Sequence, residues 1–171
     1  MAIFSRSIKV PVTPFHFGPG LAFKGVLGQR FSLAAFVVAN VAIDLEPAYY
    51  LWVDQDPLHR ELHTWLGASL LALVLCLLWS LARRLLSRLP VIRRWHWLAA
   101  LGAVPVLAVG SGLLLGVWSH IALDSVMHAD MMPFAPFRGD NPWWGQVPLE
   151  PLHWLCIMTG IAGVPLVFLR R

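Results

Sequence analysis

LHRELHTWLGASLLALVLCLLWSLA, residues 58–82, decides the fold. From Trp65 to Ala82 it carries no charged side chain. As an α-helix that run rises ~1.5 Å per residue, close to the ~30 Å hydrocarbon thickness of a bilayer. It ends in RRLLSRLPVIRR, residues 83–94, which holds five arginines. Cytoplasmic loops collect Lys and Arg. The stretch therefore reads as a transmembrane helix whose C-terminal end lies at the cytoplasmic face.

Outward from it, three more apolar stretches appear. Phe31 to Val53 closes at Asp54-Gln55-Asp56-Pro57, and Leu152 to Leu169 stops at Arg170-Arg171. Trp97 to His128 is long for one pass, so Pro105 or Gly110-Ser111-Gly112 is expected to kink or split it. A shorter run, Phe17 to Leu27, spans only ~16 Å as a helix. It reads as a half-helix, a re-entrant segment or a tilted crossing. The chain is 58% hydrophobic and 13% charged over 171 residues, against about a quarter charged for soluble domains. Too few charges remain to coat a soluble surface. The expected fold is all-α: a polytopic helical membrane protein of four to five transmembrane helices plus a short N-terminal half-helix, residues 1–171 forming a single domain.

The net charge of +4 does not indicate nucleic acid. Arg83, Arg84, Arg88, Arg93, Arg94, Arg170 and Arg171 flank apolar segments, so the basicity reports topology. Met1 to Thr13 lacks the apolar core and small-residue cleavage site of a signal peptide. Cys76 and Cys156 lie in apolar runs and read as buried free thiols. Met131 to Pro151 is a loop rich in Pro, Gly and aromatics, with Trp143 and Trp144 as interfacial anchors or as part of a lid.

The orientation brings chemistry together. If residues 83–94 are cytoplasmic, then Asp44, His59, His63, His120, Asp124 and His128 all fall in the non-cytoplasmic half. His59 and His63 stand four residues apart, which places both imidazoles on one face of a helix. His120, Asp124 and His128 form a stripe at i, i+4 and i+8. Asp44 interrupts an apolar helix, with Asn40 one turn before it to orient it, and His16 precedes the short helix. A carboxylate in the hydrocarbon region costs at least a few kcal/mol unless paired. A divalent metal held by imidazoles and carboxylates satisfies all these groups together; the bland alternative is a buried polar network. His96 reads as interfacial. His153 and Glu150 are either ligands or supports for ligands, and Arg60 either neutralises a phosphate or forms an interfacial salt bridge with Glu61.

HFGPG at residues 16–20, IDLEP at 43–47, HRELHT at 59–64 and SHIALDSVMH at 119–128 followed by PF resemble the bacterial membrane-bound metal-dependent hydrolase family. Its hallmarks are an N-terminal His, an acidic Asp motif, HR-x-x-HT/S and SH-x-x-LD. The resemblance spans about His16 to Phe137. The sequence departs from it in having His128 four residues after Asp124, and in carrying Glu46 where many relatives read D-x-D. His120 and Asp124 are also similar to the HxxxD element of the zinc-dependent phospholipase C and P1 nuclease group.

These resemblances imply a bacterial inner-membrane hydrolase using one to three divalent ions, zinc foremost, on a phosphoester or lipid-linked substrate such as a phospholipid. The site would face the non-cytoplasmic side. His16, Asp44, His63, His120 and Asp124 would be ligands. His59, His128 or Glu46 would supply a further ligand or the general base, with Arg60 beside the substrate. The alternative is a zinc transporter, which also binds its ion with His and Asp at this spacing. The cluster's place near one face favours chemistry over transport.

Overall fold

The boundaries of the helices follow from a few local residues. The computed structural model of the chain describes residues 13–88 and 103–169. Its helices are α1 (Phe17–Leu27), α2 (Leu33–Ile43), α3 (Leu45–Trp52), α4 (Trp65–Leu86), α5 (Val106–Met127) and α6 (Leu149–Leu169). Short 3₁₀ turns cover Thr13–His16, Gly28–Arg30 and Glu61–His63. All regular structure among the described residues is helical. Four spans are long and apolar enough to cross a membrane: Leu33–Trp52, α4, α5 and α6. His96, the arginines at 93 and 94, the arginines at 170 and 171, and residues 1–12 lie outside the described residues.

Ser32 caps α2 by accepting from the Ala35 amide at 3.2 Å, and Thr64 caps α4 by accepting from the Gly67 amide at 2.9 Å. The Thr64 cap corrects one expectation. His59 and His63 do not share an α-helix: His59 lies in irregular chain and His63 in a single 3₁₀ turn before the cap. Pro105 stands at the N-cap of α5. The long third run is therefore interrupted at Pro105, whereas Gly110-Ser111-Gly112 continues as regular helix.

The first span is broken at Asp44, between α2 and α3. Pro47 is the cause. It has no amide to donate back to Ile43, and its ring crowds that carbonyl. The break lifts Asp44 out of regular helix, one turn beyond Asn40.

The core is built on α5. Gly112 and Gly116 let its backbone approach α2: a Cβ on Gly116 would come within 2.8 Å of the Ala39 Cβ and 2.9 Å of the Phe36 carbonyl. Ala35, Ala39, Ile43, Ala68, Ala72, Val109, Leu113, Val117 and Ile121 fill the layer between α2, α4 and α5. The outer face of α4 exposes Leu66, Leu70, Leu73, Leu77 and Leu81, as expected of a helix facing lipid. The short apolar run is the 11-residue helix α1, packed along α6. Contact is close because both helices are small there; a Cβ on Gly160 would sit 3.3 Å from the Gly18 Cα. This packing delivers His16, the N-cap of α1, to the centre of the molecule.

Candidate metal centre

Asp124 is the hub. It is 1% exposed, one turn after the fully buried His120 on α5. Its Oδ2 lies 2.9 Å from His120 Nε2 and 3.8 Å from His63 Nε2. Asp44 Oδ1 comes within 3.1 Å of the same His120 nitrogen. One ligand-type atom from each of Asp44, His63, His120 and Asp124 falls within 4.8 Å of all the others. The four arrive from the α2–α3 break, the 3₁₀ turn before α4, and α5.

The other side of each imidazole is anchored. His63 Nδ1 donates to Glu46 Oε2 at 2.8 Å. His120 Nδ1 donates to Asn40 Oδ1 at 3.2 Å, while the Asn40 amide nitrogen donates to the Phe36 carbonyl at 2.9 Å and so fixes the flip. In the neutral ring each anchor places the proton on Nδ1 and leaves a lone pair on Nε2. His63 Nε2, His120 Nε2 and Asp124 Oδ2 are buried without a hydrogen-bond partner. They approach each other without hydrogen-bond geometry, which is costly unless something sits among them.

Separations of 2.9, 3.1 and 3.8 Å bracket the roughly 3.3 Å edge of a tetrahedron built on ~2.0–2.1 Å bonds to zinc. Two imidazoles and two carboxylates are also a donor set that zinc accepts. The residues present fit a divalent cation of that kind.

Asn40, expected to orient Asp44, is found accepting from His120 Nδ1. His16 stacks on His120 with ring centres 4.3 Å apart, and its Nε2 lies 3.0 Å from Asp124 Oδ1. It therefore holds the oxygen of Asp124 that faces away from the four-atom cluster. Glu46, expected as a ligand or base, is turned outward from the cluster: besides His63 it accepts from the backbone amides of Arg60 at 3.0 Å and Leu62 at 2.9 Å. Its carboxylate ties down the loop that carries His63. Among the described residues Arg60 pairs with no carboxylate, Glu61 included; its guanidinium donates to the carbonyls of Pro57 and Asp56 and lies 3.6 Å above the Tyr50 ring. His153 stacks on Phe15 at 4.3 Å, and Glu150 is exposed, so neither joins the cluster. Trp143 packs edge-on against Trp65 and Phe134, whereas Trp144 is exposed.

A second group adjoins the first. The helical stripe stops at Met127, and His128 is in extended chain, yet its Nε2 stays 3.9 Å from Asp124 Oδ1. The His59 ring lies 4.3 Å from that of His128 and 4.7 Å from that of His63. Asp130 completes this group. It accepts from His59 Nδ1 at 3.0 Å and from the amides of Leu58 and His59 at 3.0 and 3.3 Å. Burial pushes the Asp130 carboxyl up, but these bonds outweigh it and hold it well below the usual carboxylate range. Burial also draws His63 and His128 below the usual imidazole value, so both favour the neutral form that binds metal.

Asp130 has no place in the sequence reading, because it sits past the helix end, where periodicity gives no register. Only its spacing two residues after His128 hinted at it. Comparison with known proteins leaves identity to this geometry: no family model, no curated protein and no solved structure matches the chain.

Proposed function

We propose that the protein is a membrane-embedded, metal-dependent hydrolase acting on a phosphoester or other lipid-linked ester. The observation that carries this reading is the pair His63 and His120. Both rings are anchored through Nδ1, and both turn a buried Nε2 toward Asp124 Oδ2, at 3.8 Å for His63 and 2.9 Å for His120. Most buried polar atoms find a hydrogen-bond partner, and among the described residues His63 Nε2 and Asp124 Oδ2 have none in hydrogen-bond geometry. A cation held by Asp44, His63, His120 and Asp124 would acidify water and withdraw charge from an ester oxygen. Zinc fits the donors best. The resemblance of HRELHT and SHIALD to the bacterial membrane-bound metal-dependent hydrolases supports the same chemistry.

The chain's own residues supply position and access. Glu46 and Asn40 hold the two imidazoles, and His16 holds Asp124. Asp44 and His128 keep 14% and 15% of their side chains exposed, so the centre opens toward the loops at residues 53–64 and 128–148. These loops lie at the end of α4 opposite Arg83 and Arg84. By the positive-inside rule that end is non-cytoplasmic in a bacterial inner membrane. A site at this level meets lipid headgroups, where the ester or phosphoester of a lipid substrate sits.

The test uses the detergent-purified chain and liposomes. Chelator-sensitive release of phosphate or alcohol from a panel of lipid phosphoesters is expected, with activity lost in His120→Ala. Reconstituted protein is expected to move no radioactive zinc across the bilayer. Protein-dependent zinc flux abolished by Asp44→Ala, with no hydrolysis of any lipid ester, would replace the enzyme with a transporter.

A further inference from the structure

We infer that Asp124 stands between two cation positions, the second formed by His59, His128 and the Oδ1 of Asp124, with Asp130 orienting His59. The inference deepens the hydrolase reading and rests on it for the first position. One ligand-type atom from each of His59, His128 and Asp130 lies within 4.8 Å of the other two, and both Asp130 oxygens lie 3.0 Å from His59 Nδ1, on the side of the ring away from Nε2. The group also has a feature that a structural tether lacks. His59 is 5% exposed, and its Nε2 is buried with no hydrogen-bond partner. Asp130 fixes the tautomer of His59 by accepting from Nδ1 at 3.0 Å, as Glu46 does for His63 and Asn40 for His120.

Asp124 links the two groups through its separate oxygens. Oδ2 faces His120 and His63, at 2.9 and 3.8 Å. Oδ1 faces His16 and His128, at 3.0 and 3.9 Å. A carboxylate with one oxygen toward each of two donor groups is the arrangement of a bridging ligand. His59, His128 and Asp124 Oδ1 would supply two imidazoles and one carboxylate, which leave a coordination position open, as catalytic sites do and structural sites do not. Two adjacent cations stabilise both the attacking and the leaving oxygen of an in-line displacement. The second position therefore narrows the substrate class from esters in general to phosphoesters.

The rival account makes the His59–Asp130 pair a tether between residues 53–64 and 128–148, and it requires no second ion. Titration of the metal-free, full-length protein in detergent with Co(II) separates the two. Visible absorption would count equivalents, and electron paramagnetic resonance would report coupling between neighbouring ions. Wild type is expected to take up two equivalents, the second diminishing the resonance of the first. His128→Ala is expected to take up one. Asp130→Asn keeps an acceptor for the Leu58 and His59 amides, so its fold is retained; its second equivalent is expected to bind at least tenfold more weakly. Uptake of one equivalent by wild type, lost in His120→Ala and kept in His128→Ala, would overturn the second position alone. No uptake by wild type would overturn the metal-centre reading with it.

Discussion

At the scale of single residues, the side chains behind the candidate ligands matter as much as the ligands. Glu46 accepts three hydrogen bonds, from His63 and from the amides of Arg60 and Leu62. Glu46→Gln keeps the shape but replaces the carboxylate oxygens with one acceptor and one donor. It is expected to weaken cation affinity by about 10–100-fold, the usual cost of losing a group that orients a ligand, as read by competition with a chromogenic chelator. Protonation gives a second check. Burial lowers His63, against the Glu46 bond that raises it, and burial lowers His128. In the unfolded chain both titrate near about 6.5. Through these two groups the unfolded state binds more protons below that value, so their contribution to the stability of the metal-free protein is present above it and is lost as pH drops toward the folded values. In thermal melts in detergent from about pH 8 to about pH 5, His128→Gln is expected to lose stability with acid less steeply than wild type. The ligand types themselves were legible in the sequence, because an acid in an apolar helix and HxxxD spacing are costly patterns. Asp130 and the orienting place of Glu46 were not. Both depend on how two loops meet across the molecule, and local spacing carries no record of that.

At the scale of elements, small residues and prolines set where the ligands arrive. Gly163 of α6 packs directly on the backbone of Leu21 and Ala22 in α1. Gly163→Val forces α1 away, and His16 with it. Overpacking of this kind costs ~1–3 kcal/mol. The variant is expected to melt lower and to bind the cation more weakly, whereas Gly139→Ala, with nothing within 4 Å of its Cβ, is expected to match wild type. The apolar spans were readable because lipid demands long uninterrupted runs. The break at Asp44 and the 3₁₀ turn at His63 were harder to see. HxxxH looks helical by spacing, but Thr64 caps the helix after the second histidine, and Pro47 acts on a carbonyl four residues earlier. A cap or a proline shifts a boundary without changing the hydrophobic pattern.

At the scale of the whole molecule, the centre lies at the end of the bundle opposite Arg83 and Arg84. Ser87→Cys is therefore expected to resist an impermeant thiol reagent in intact bacterial cells, and Gly139→Cys to react with it, on a background lacking Cys76 and Cys156. The reverse pattern would place the centre at the cytoplasmic face. Every proposed step depends on the buried His/Asp cluster holding a divalent cation. Elemental analysis of the detergent-purified protein tests this directly, comparing wild type with His120→Ala, with circular dichroism confirming that both are helical. Wild type is expected to retain at least one zinc-class ion per chain through purification, and His120→Ala to lose it. Wild type without bound metal after incubation with zinc, or equal metal in both proteins, would contradict the account and leave a buried polar network in its place.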